Sequence, residues 1–157
     1  MRTVAPIAMI TVGPPGCGKT TFTKILLAGE SGVGYISLNE VRRELSGSSG
    51  KEPKAGIIRA IFLKKISEYL LSGANIVIDS ANGELTERRQ LIELCNQNGA
   101  REVIGVFFET ELSLCLARNR MRRDKAPEHE IRRVHDLLRK TPPSTADGFD
   151  NIISVSA

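Results

Sequence analysis

Tryptophan is absent from this sequence of 157 residues, aromatic residues make up only 4% of it, and there are just two histidines and three cysteines. The cysteines, Cys17, Cys95 and Cys115, are an odd number without C-x-x-C spacing. This pattern argues against a disulfide framework and against a zinc knuckle. His129 and His135 form no metal-ligand pattern with the cysteines. We therefore expect a reducing compartment, the cytoplasm, as the location.

Long apolar runs are also missing. No segment approaches the ~20 apolar residues that cross a bilayer, so we expect no membrane association. The apolar run at residues 4–12 is short, lacks the cleavage site of a signal peptide and leads directly into a glycine-rich loop. We interpret it as a buried strand.

The composition is typical of one folded domain spanning residues 1–157, because 41% of the residues are hydrophobic and 25% are charged. The net charge is +4, but it is unevenly distributed. Residues 118–140 contain nine basic and four acidic residues. Such a run is either a solvated helical face or a phosphate-binding element, and charge alone does not choose between them.

Hydrophobic periodicity predicts five strands that alternate with helices. The strands are expected at residues 7–12, 34–38, 74–78, 103–108 and 151–155. The helices are expected at residues 20–27, 39–45, 55–71, 86–98, 111–123 and 128–140, with a flexible loop over 46–50. Short β-branched strands of this kind are covered on both faces in parallel sheets. The prediction is an α/β fold with a central, mostly parallel sheet flanked by helices.

The strongest motif is GPPGCGKT at residues 13–20, which matches the P-loop pattern G-x-x-x-x-G-K-[ST] and lies between a predicted strand and a predicted helix. Glycines allow backbone N–H groups to surround phosphate oxygens. Lys19 is expected to neutralise the β- and γ-phosphates of ATP, and the Thr20 hydroxyl to bind Mg²⁺. The predicted nucleotide-binding residues are Gly13, Pro14, Pro15, Gly16, Cys17, Gly18, Lys19, Thr20 and Thr21.

A P-loop leaves the phosphoryl acceptor open: water, a small hydroxyl compound, a nucleic-acid end or another phosphate. The chain has no D-x-x-G or N-K-x-D pattern, which argues against a GTPase. The motif therefore favours a kinase.

Three further elements carry a resemblance: NEVR at residues 39–42, DSAN at 79–82 with Arg88 beyond it, and RNRMR at 118–122. With the ending at residues 141–150, they make the chain, from about residue 7 to 155, similar to the 5′-polynucleotide kinases. These are small P-loop kinases that phosphorylate 5′-hydroxyl ends of DNA or RNA. The resemblance implies a P-loop kinase fold with a helical lid at about residues 111–140. It also implies nucleic-acid 5′-hydroxyl ends as the partner.

The chain departs from this family at one position. The family signature Asp-x-x-Arg uses Asp to take the proton of the hydroxyl and Arg to hold the acceptor phosphate, and the matching residues here are Asn39 and Arg42. An amide orients a hydroxyl but does not accept its proton at neutral pH. Three explanations stay open: an introduced Asp→Asn substitution that holds substrates in place, a natural variant of low activity, or an acceptor that needs no base. A nucleoside monophosphate would be such an acceptor.

The resemblance also implies roles for the remaining candidates. Asp79 contacts the acceptor hydroxyl or supports Mg²⁺, and the alternative is that it caps the turn after its strand. Asn82 is expected in the substrate site as a former of the turn, and Arg88 as a substrate-binding or surface residue. Arg118 and Arg122 lie four residues apart, which places them on one helical face as a lid over ATP phosphates or as a solvated surface.

Two other functions remain compatible with the residues. One is a small-molecule or nucleoside monophosphate kinase of the P-loop class. The other is a nucleotide-gated nucleic-acid binder without catalysis.

Overall fold

Five parallel strands form one sheet in the computed structural model, which describes residues 4–49 and 52–156. The strands are β1 (Ile7–Val12), β2 (Gly34–Ser37), β3 (Ile76–Asp79), β4 (Glu102–Glu109) and β5 (Asn151–Ser156). Their order across the sheet is β2-β3-β1-β4-β5, and every neighbouring pair is parallel. The predicted α/β class is confirmed, because connecting parallel strands requires crossover helices.

Within residues 4–49 and 52–156, six α-helices and one short 3₁₀ helix connect the strands. The α-helices are α1 (Lys19–Leu27), α2 (Leu38–Ser49), α3 (Ala55–Leu71), α4 (Leu85–Gln97), α5 (Leu112–Arg120) and α6 (Glu128–Lys140). The 3₁₀ helix covers Thr145–Asp147, between α6 and β5. None of the helices in the described ranges is both long enough and apolar enough to cross a bilayer.

The predicted loop at residues 46–50 is wrong over 46–49, because α2 continues to Ser49. Val41 is buried and Leu45 packs against the hydrophobic core, so tertiary contacts hold the helix up to residue 45, and it continues into a Ser/Gly sequence of low helix propensity. Glu44 also accepts a hydrogen bond at 3.0 Å from Lys65 of α3. Gly50, the last residue of that prediction, lies outside the described residues.

Helix α5 is shorter than expected, since it ends at Arg120 and not at residue 123. The cause is Asn119, which is 2% exposed. Its Nδ2 donates to the Ala126 carbonyl at 2.8 Å, and its Oδ1 accepts from the Ala126 N–H at 2.9 Å. This pair of bonds folds residues 120–125 into a turn between α5 and α6.

Two clusters of buried side chains form the core. The larger cluster joins one side of the sheet to α3 and α4 and includes Val134 and Leu138 of α6. The smaller cluster joins Phe108 of β4 to Cys115 and Leu116 of α5. The two helices of the predicted lid thus both bury side chains in the core, and Ala126 of the turn between them packs against the smaller cluster.

Arg88 of α4 is fully buried at 0% exposure. Its Nε donates to Asp147 Oδ2 at 2.8 Å. Its remaining nitrogens donate at 3.0 to 3.2 Å to the carbonyls of Asn82, Gly83 and Thr141. Arg88 therefore joins α4 to the loop after β3, the end of α6 and the 3₁₀ helix. The expectation of a surface residue is wrong, and this geometry does not favour direct substrate contact, because the guanidinium is enclosed by its own partners.

We expect Asp147→Ala to lower the free energy of unfolding by about 3–5 kcal/mol, because it leaves the buried Arg88 charge without its partner. Asp136→Ala is the matched control, since Asp136 is exposed and pairs with the exposed Lys140 at 3.0 Å. That variant should lose about 1 kcal/mol or less. Urea denaturation of both variants measures the difference, and equal losses would contradict a structural role for Arg88.

Candidate functional site

The P-loop leaves the carboxyl end of β1 and enters α1. Gly16 and Gly18 have φ angles of +84° and +99°, in the left-handed region that favours glycine. A Cβ atom on Gly16 would lie 2.4 Å from the carbonyl oxygen of Cys115, so a side chain does not fit there. Gly18 is the N-cap of α1. The free N–H groups of the first helical turn therefore follow directly on the loop, as anion binding requires.

Lys19 lies against the loop backbone. Its Nζ donates to the carbonyls of Gly13 at 2.7 Å and Pro14 at 3.0 Å. No carboxylate within residues 4–49 and 52–156 forms an ion pair with Lys19. The ammonium charge is thus held at the loop and remains available to an anion.

The other loop residues contribute through their backbone or their packing. Pro14 and Cys17 are buried, Pro15 is half-buried, and Thr21 is exposed. Cys17 belongs to the smaller core cluster, and its carbonyl accepts a hydrogen bond from the Thr110 hydroxyl at 3.2 Å. Its thiol is therefore part of the packing beneath the loop.

Thr20 and Asp79 meet at the edge of the sheet. The Thr20 hydroxyl donates to Asp79 Oδ2 at 3.1 Å, and Asp79 is only 5% exposed at the end of β3. The described part of the chain has no group of three His, Cys, Asp or Glu residues that could hold a metal. Mg²⁺ at phosphate sites needs only one or two protein oxygens, with phosphates and water as its other ligands. The hydroxyl and the carboxylate fit that requirement.

Tyr35 is a member of the site that the sequence did not reveal. Its hydroxyl donates to the same Asp79 Oδ2 at 2.5 Å. Burial, the hydrogen bond and the charge of Asp79 raise the pKa of Tyr35 to about 12. The phenol thus stays a donor at neutral pH. Only the pairing of β2 with β3 brings it there, so no motif could have indicated it.

Asn82 holds the turn after β3, which is one part of its predicted role. Its φ is +52°, and its Nδ2 donates to the Thr11 carbonyl and to Ser80 Oγ, both at 2.7 Å. The residue is 1% exposed, and its Oδ1 has no hydrogen-bond partner among the described residues. The side chain therefore acts on the backbone of the loop.

Asn39 and Arg42 lie on the first turns of α2, and both are exposed. Arg42 Nη2 donates to Asn39 Oδ1 at 3.3 Å. Arg42 also lines a groove of about 610 Å³ formed by residues from α2, α3 and α4 and from the segment before α3. The two residues of the NEVR element are thus brought together beside a groove.

Arg118 and Arg122 are separated by the end of α5. A Cβ atom on Gly18 would lie 3.4 Å from Arg118 Nη1, so the Arg118 guanidinium reaches the P-loop. Arg122 lies beyond the helix, in the turn that Asn119 closes. The prediction that both arginines share one helical face is therefore wrong.

Comparison with known families gives one match. The model of the AAA_33 family, described as an AAA domain, matches residues 9–141. No curated protein sequence matches the chain.

Many solved structures share the fold. A chain of the Pnkp1/Rnl/Hen1 RNA repair complex has a TM-score of 0.74 and 19% identity, covering 92% of this chain and 46% of that chain. A gluconokinase from Sinorhizobium meliloti has a TM-score of 0.63 and 19% identity, and the match covers 97% of this chain and 83% of that chain. A shikimate kinase from Bacteroides thetaiotaomicron has a TM-score of 0.59 and 19% identity, and the match covers 94% of this chain and 86% of that chain. The chain spans less than half of the two Pnkp1 complex chains that it matches, 46% and 40% of their lengths.

We expect Tyr35 to titrate separately in the folded protein. In Tyr69→Phe it is the only remaining tyrosine, because the sequence has two, and its absorbance change should come at about pH 12. Tyr35→Phe should lack that component. Because the folded-state pKa lies above the value of 10.0 for a free tyrosine, its contribution to stability is complete below pH 10 and is lost between pH 10 and about 12. Ionisation near pH 10 in Tyr69→Phe would contradict the contact with Asp79.

Proposed function

The chain belongs to the AAA_33 family of P-loop kinase-like domains, and we propose that it transfers the γ-phosphoryl group of ATP to the 5′-hydroxyl end of a nucleic acid. The observation that carries this proposal is the position of the NEVR element. Asn39 and Arg42 open α2 beside the groove, while Asp79, at the end of the neighbouring strand β3, contacts Thr20 of the P-loop. The residues that we assign to the donor and to the acceptor thus follow neighbouring strands at the same edge of the sheet.

On the donor side, the P-loop backbone and Lys19 bind the phosphates of ATP, and Arg118 stabilises the charge that develops during transfer. Thr20 and Asp79 would hold Mg²⁺, which would neutralise phosphate charge. Tyr35 keeps the Asp79 carboxylate in one orientation through its short hydrogen bond. These assignments follow from the contacts of each side chain and from the chemistry that phosphoryl transfer requires.

On the acceptor side, Arg42 holds a phosphate of the strand and Asn39 orients the 5′-hydroxyl. The hydroxyl oxygen bonds to the γ-phosphorus, the bond from the γ-phosphorus to the bridging oxygen breaks so that ADP leaves, and the hydroxyl proton passes to solvent water. Asn39 accepts a hydrogen bond but not that proton. We therefore expect slow turnover, since general-base assistance contributes typically about 10²–10⁴-fold.

A small-molecule acceptor is the second candidate. The groove volume of about 610 Å³ lies within the ~300–1,000 Å³ that is typical of small-ligand pockets. Its lining also mixes Arg42 and Arg59 with Glu52 and Glu87, which suits a compact polar ligand. This candidate includes nucleoside monophosphates, whose phosphate is already ionised and needs no base.

We expect Lys19→Ala to weaken ATP binding in the presence of Mg²⁺ by about 10-fold to 100-fold, the scale of a charged hydrogen bond. Lys24→Ala is the matched control, because Lys24 is exposed in the last turn of the same helix. Isothermal titration calorimetry measures both variants. Equal affinities for ATP in the two variants would remove Lys19 from the nucleotide site.

Asn39→Asp should raise transfer from ATP to a 5′-hydroxyl oligonucleotide by about 10²–10⁴-fold, because the new carboxylate can accept the proton. Arg42, at 3.3 Å from Asn39 Oδ1, would favour the charged form of that carboxylate. Asn96→Asp on the exposed surface of α4 adds the same charge elsewhere and should have no effect.

Transfer of labelled γ-phosphate is followed in parallel on oligonucleotides and on nucleoside monophosphates. Phosphorylation of monophosphates by the protein with Asn39 intact, together with no gain on oligonucleotides from Asn39→Asp, would favour the small-molecule candidate instead.

A further inference from the structure

A second arginine lines the groove beside Arg42. Arg59 belongs to α3 and faces Gln90 of α4. Its Nε and Nη2 both donate to Gln90 Oε1, at 3.1 Å and 2.7 Å. Its guanidinium carbon also lies 5.8 Å from the centre of the buried Phe62 ring. The Arg59 side chain is therefore held in one orientation by neutral groups.

Arg42 also has a neutral hydrogen-bond partner. Its contact is to the amide oxygen of Asn39, which carries no charge. Within the described ranges neither Arg42 nor Arg59 forms an ion pair, whereas four arginines elsewhere do: Arg43, Arg88, Arg120 and Arg133.

The two glutamates of the groove, Glu52 and Glu87, do not pair with its arginines. Glu87 accepts a hydrogen bond from the backbone N–H of Glu84 and so serves the N-terminal cap of α4. Neither Glu52 nor Glu87 lies within ion-pair distance of a described arginine. Neither guanidinium is thus paired with a carboxylate among the described residues, although Glu52 and Glu87 line the same groove.

Two oriented guanidiniums that line one groove form a site for an anion, because each presents several donors to phosphate oxygens. Arg59 retains both hydrogens on Nη1 and one on Nη2 after its bonds to Gln90. Resting on the proposed function, we propose that Arg59, positioned by Gln90, is a second phosphate-binding residue of the acceptor site. It acts together with Arg42 on the phosphate that follows the 5′-terminal nucleoside of a nucleic-acid strand.

The remaining lining supports a nucleotide as the occupant. Leu38, Pro53 and Ile58 add apolar surface to the groove, against which a base or a sugar packs. The volume of about 610 Å³ suits a ligand of one or two nucleotides rather than a whole strand. In this proposal, the following nucleotides of the nucleic acid lie outside the groove.

Substitution of Gln90 tests whether phosphate binding depends on the charge of Arg59. Gln90→Glu keeps the size and the contact but gives Arg59 a carboxylate partner, which neutralises its charge. Gln97→Glu makes the same charge change on the same helix, at an exposed residue whose partner is Glu93. Arg59→Gln removes the guanidinium itself. Far-ultraviolet circular dichroism verifies that each variant is folded.

Calorimetry measures the binding of deoxyadenosine 3′-monophosphate, which has a free 5′-hydroxyl, and of deoxyadenosine, which lacks the phosphate. We expect the protein and Gln97→Glu to prefer the 3′-monophosphate by about 10-fold or more, and Gln90→Glu and Arg59→Gln to lose most of that preference. A preference that is unchanged in Gln90→Glu and Arg59→Gln, or absent from the unsubstituted protein, would overturn the proposal. Tighter binding of deoxyadenosine 5′-monophosphate than of the 3′-monophosphate would overturn its assignment to a nucleic-acid strand.

This readout is separate from the proposed kinase activity. If neither the unsubstituted protein nor Asn39→Asp labels a 5′-hydroxyl oligonucleotide, the proposed function fails. The 3′-phosphate preference and its dependence on Arg59 are still decided by the binding data alone.

Discussion

The parallel pairing of β1 with β3 and β4 is the constraint on which the rest of the site depends. It brings the carboxyl ends of these strands to one edge of the sheet, so that the P-loop after β1 meets Asp79 at the end of β3. On the other side of β1, the chain after β4 forms α5, whose Cys115 carbonyl approaches Gly16 too closely for any side chain there. The same strand order therefore explains why position 16 needs a glycine and why the Thr20 hydroxyl meets the Asp79 carboxylate.

Polar groups buried behind this edge hold it in shape. Thr11 and Ser80 exchange hydrogen bonds across β1 and the end of β3, at 2.9 and 3.1 Å, and Asn82 donates to both segments. Arg88 then ties the same loop to α4, α6 and the 3₁₀ helix. Since unpaired buried polar groups are costly, such a network admits few alternative loop conformations. These hydrogen bonds hold the loop after β3 at the point where Asp79 leaves the sheet.

The arginines in the groove have different partners from those that join helices elsewhere in the fold. Arg88 is neutralised by Asp147 inside the core, and Arg133 bonds to Glu84 and Glu130 between α4 and α6, which raises the pKa of its guanidinium. Arg42 and Arg59 meet amide oxygens instead. A carboxylate partner stabilises structure but cancels charge, whereas an amide orients a guanidinium and leaves its charge to a ligand. Carboxylate partners thus distinguish Arg88 and Arg133 from Arg42 and Arg59, whose partners are neutral amides.

The sequence by itself determined the α/β class, the positions of all five strands and the P-loop, because periodicity and the glycine motif are local in the chain. It also pointed to Asp79, because this carboxylate comes directly after a buried apolar run. Only the tertiary structure decided that Tyr35 joins Asp79, that Arg88 lies in the core, that α5 ends before Arg122, and that Arg59 meets Gln90. These four outcomes depend on partners 7 to 59 residues away in the chain. A local pattern carries no information about which side chain the packing of strands and helices will place opposite another.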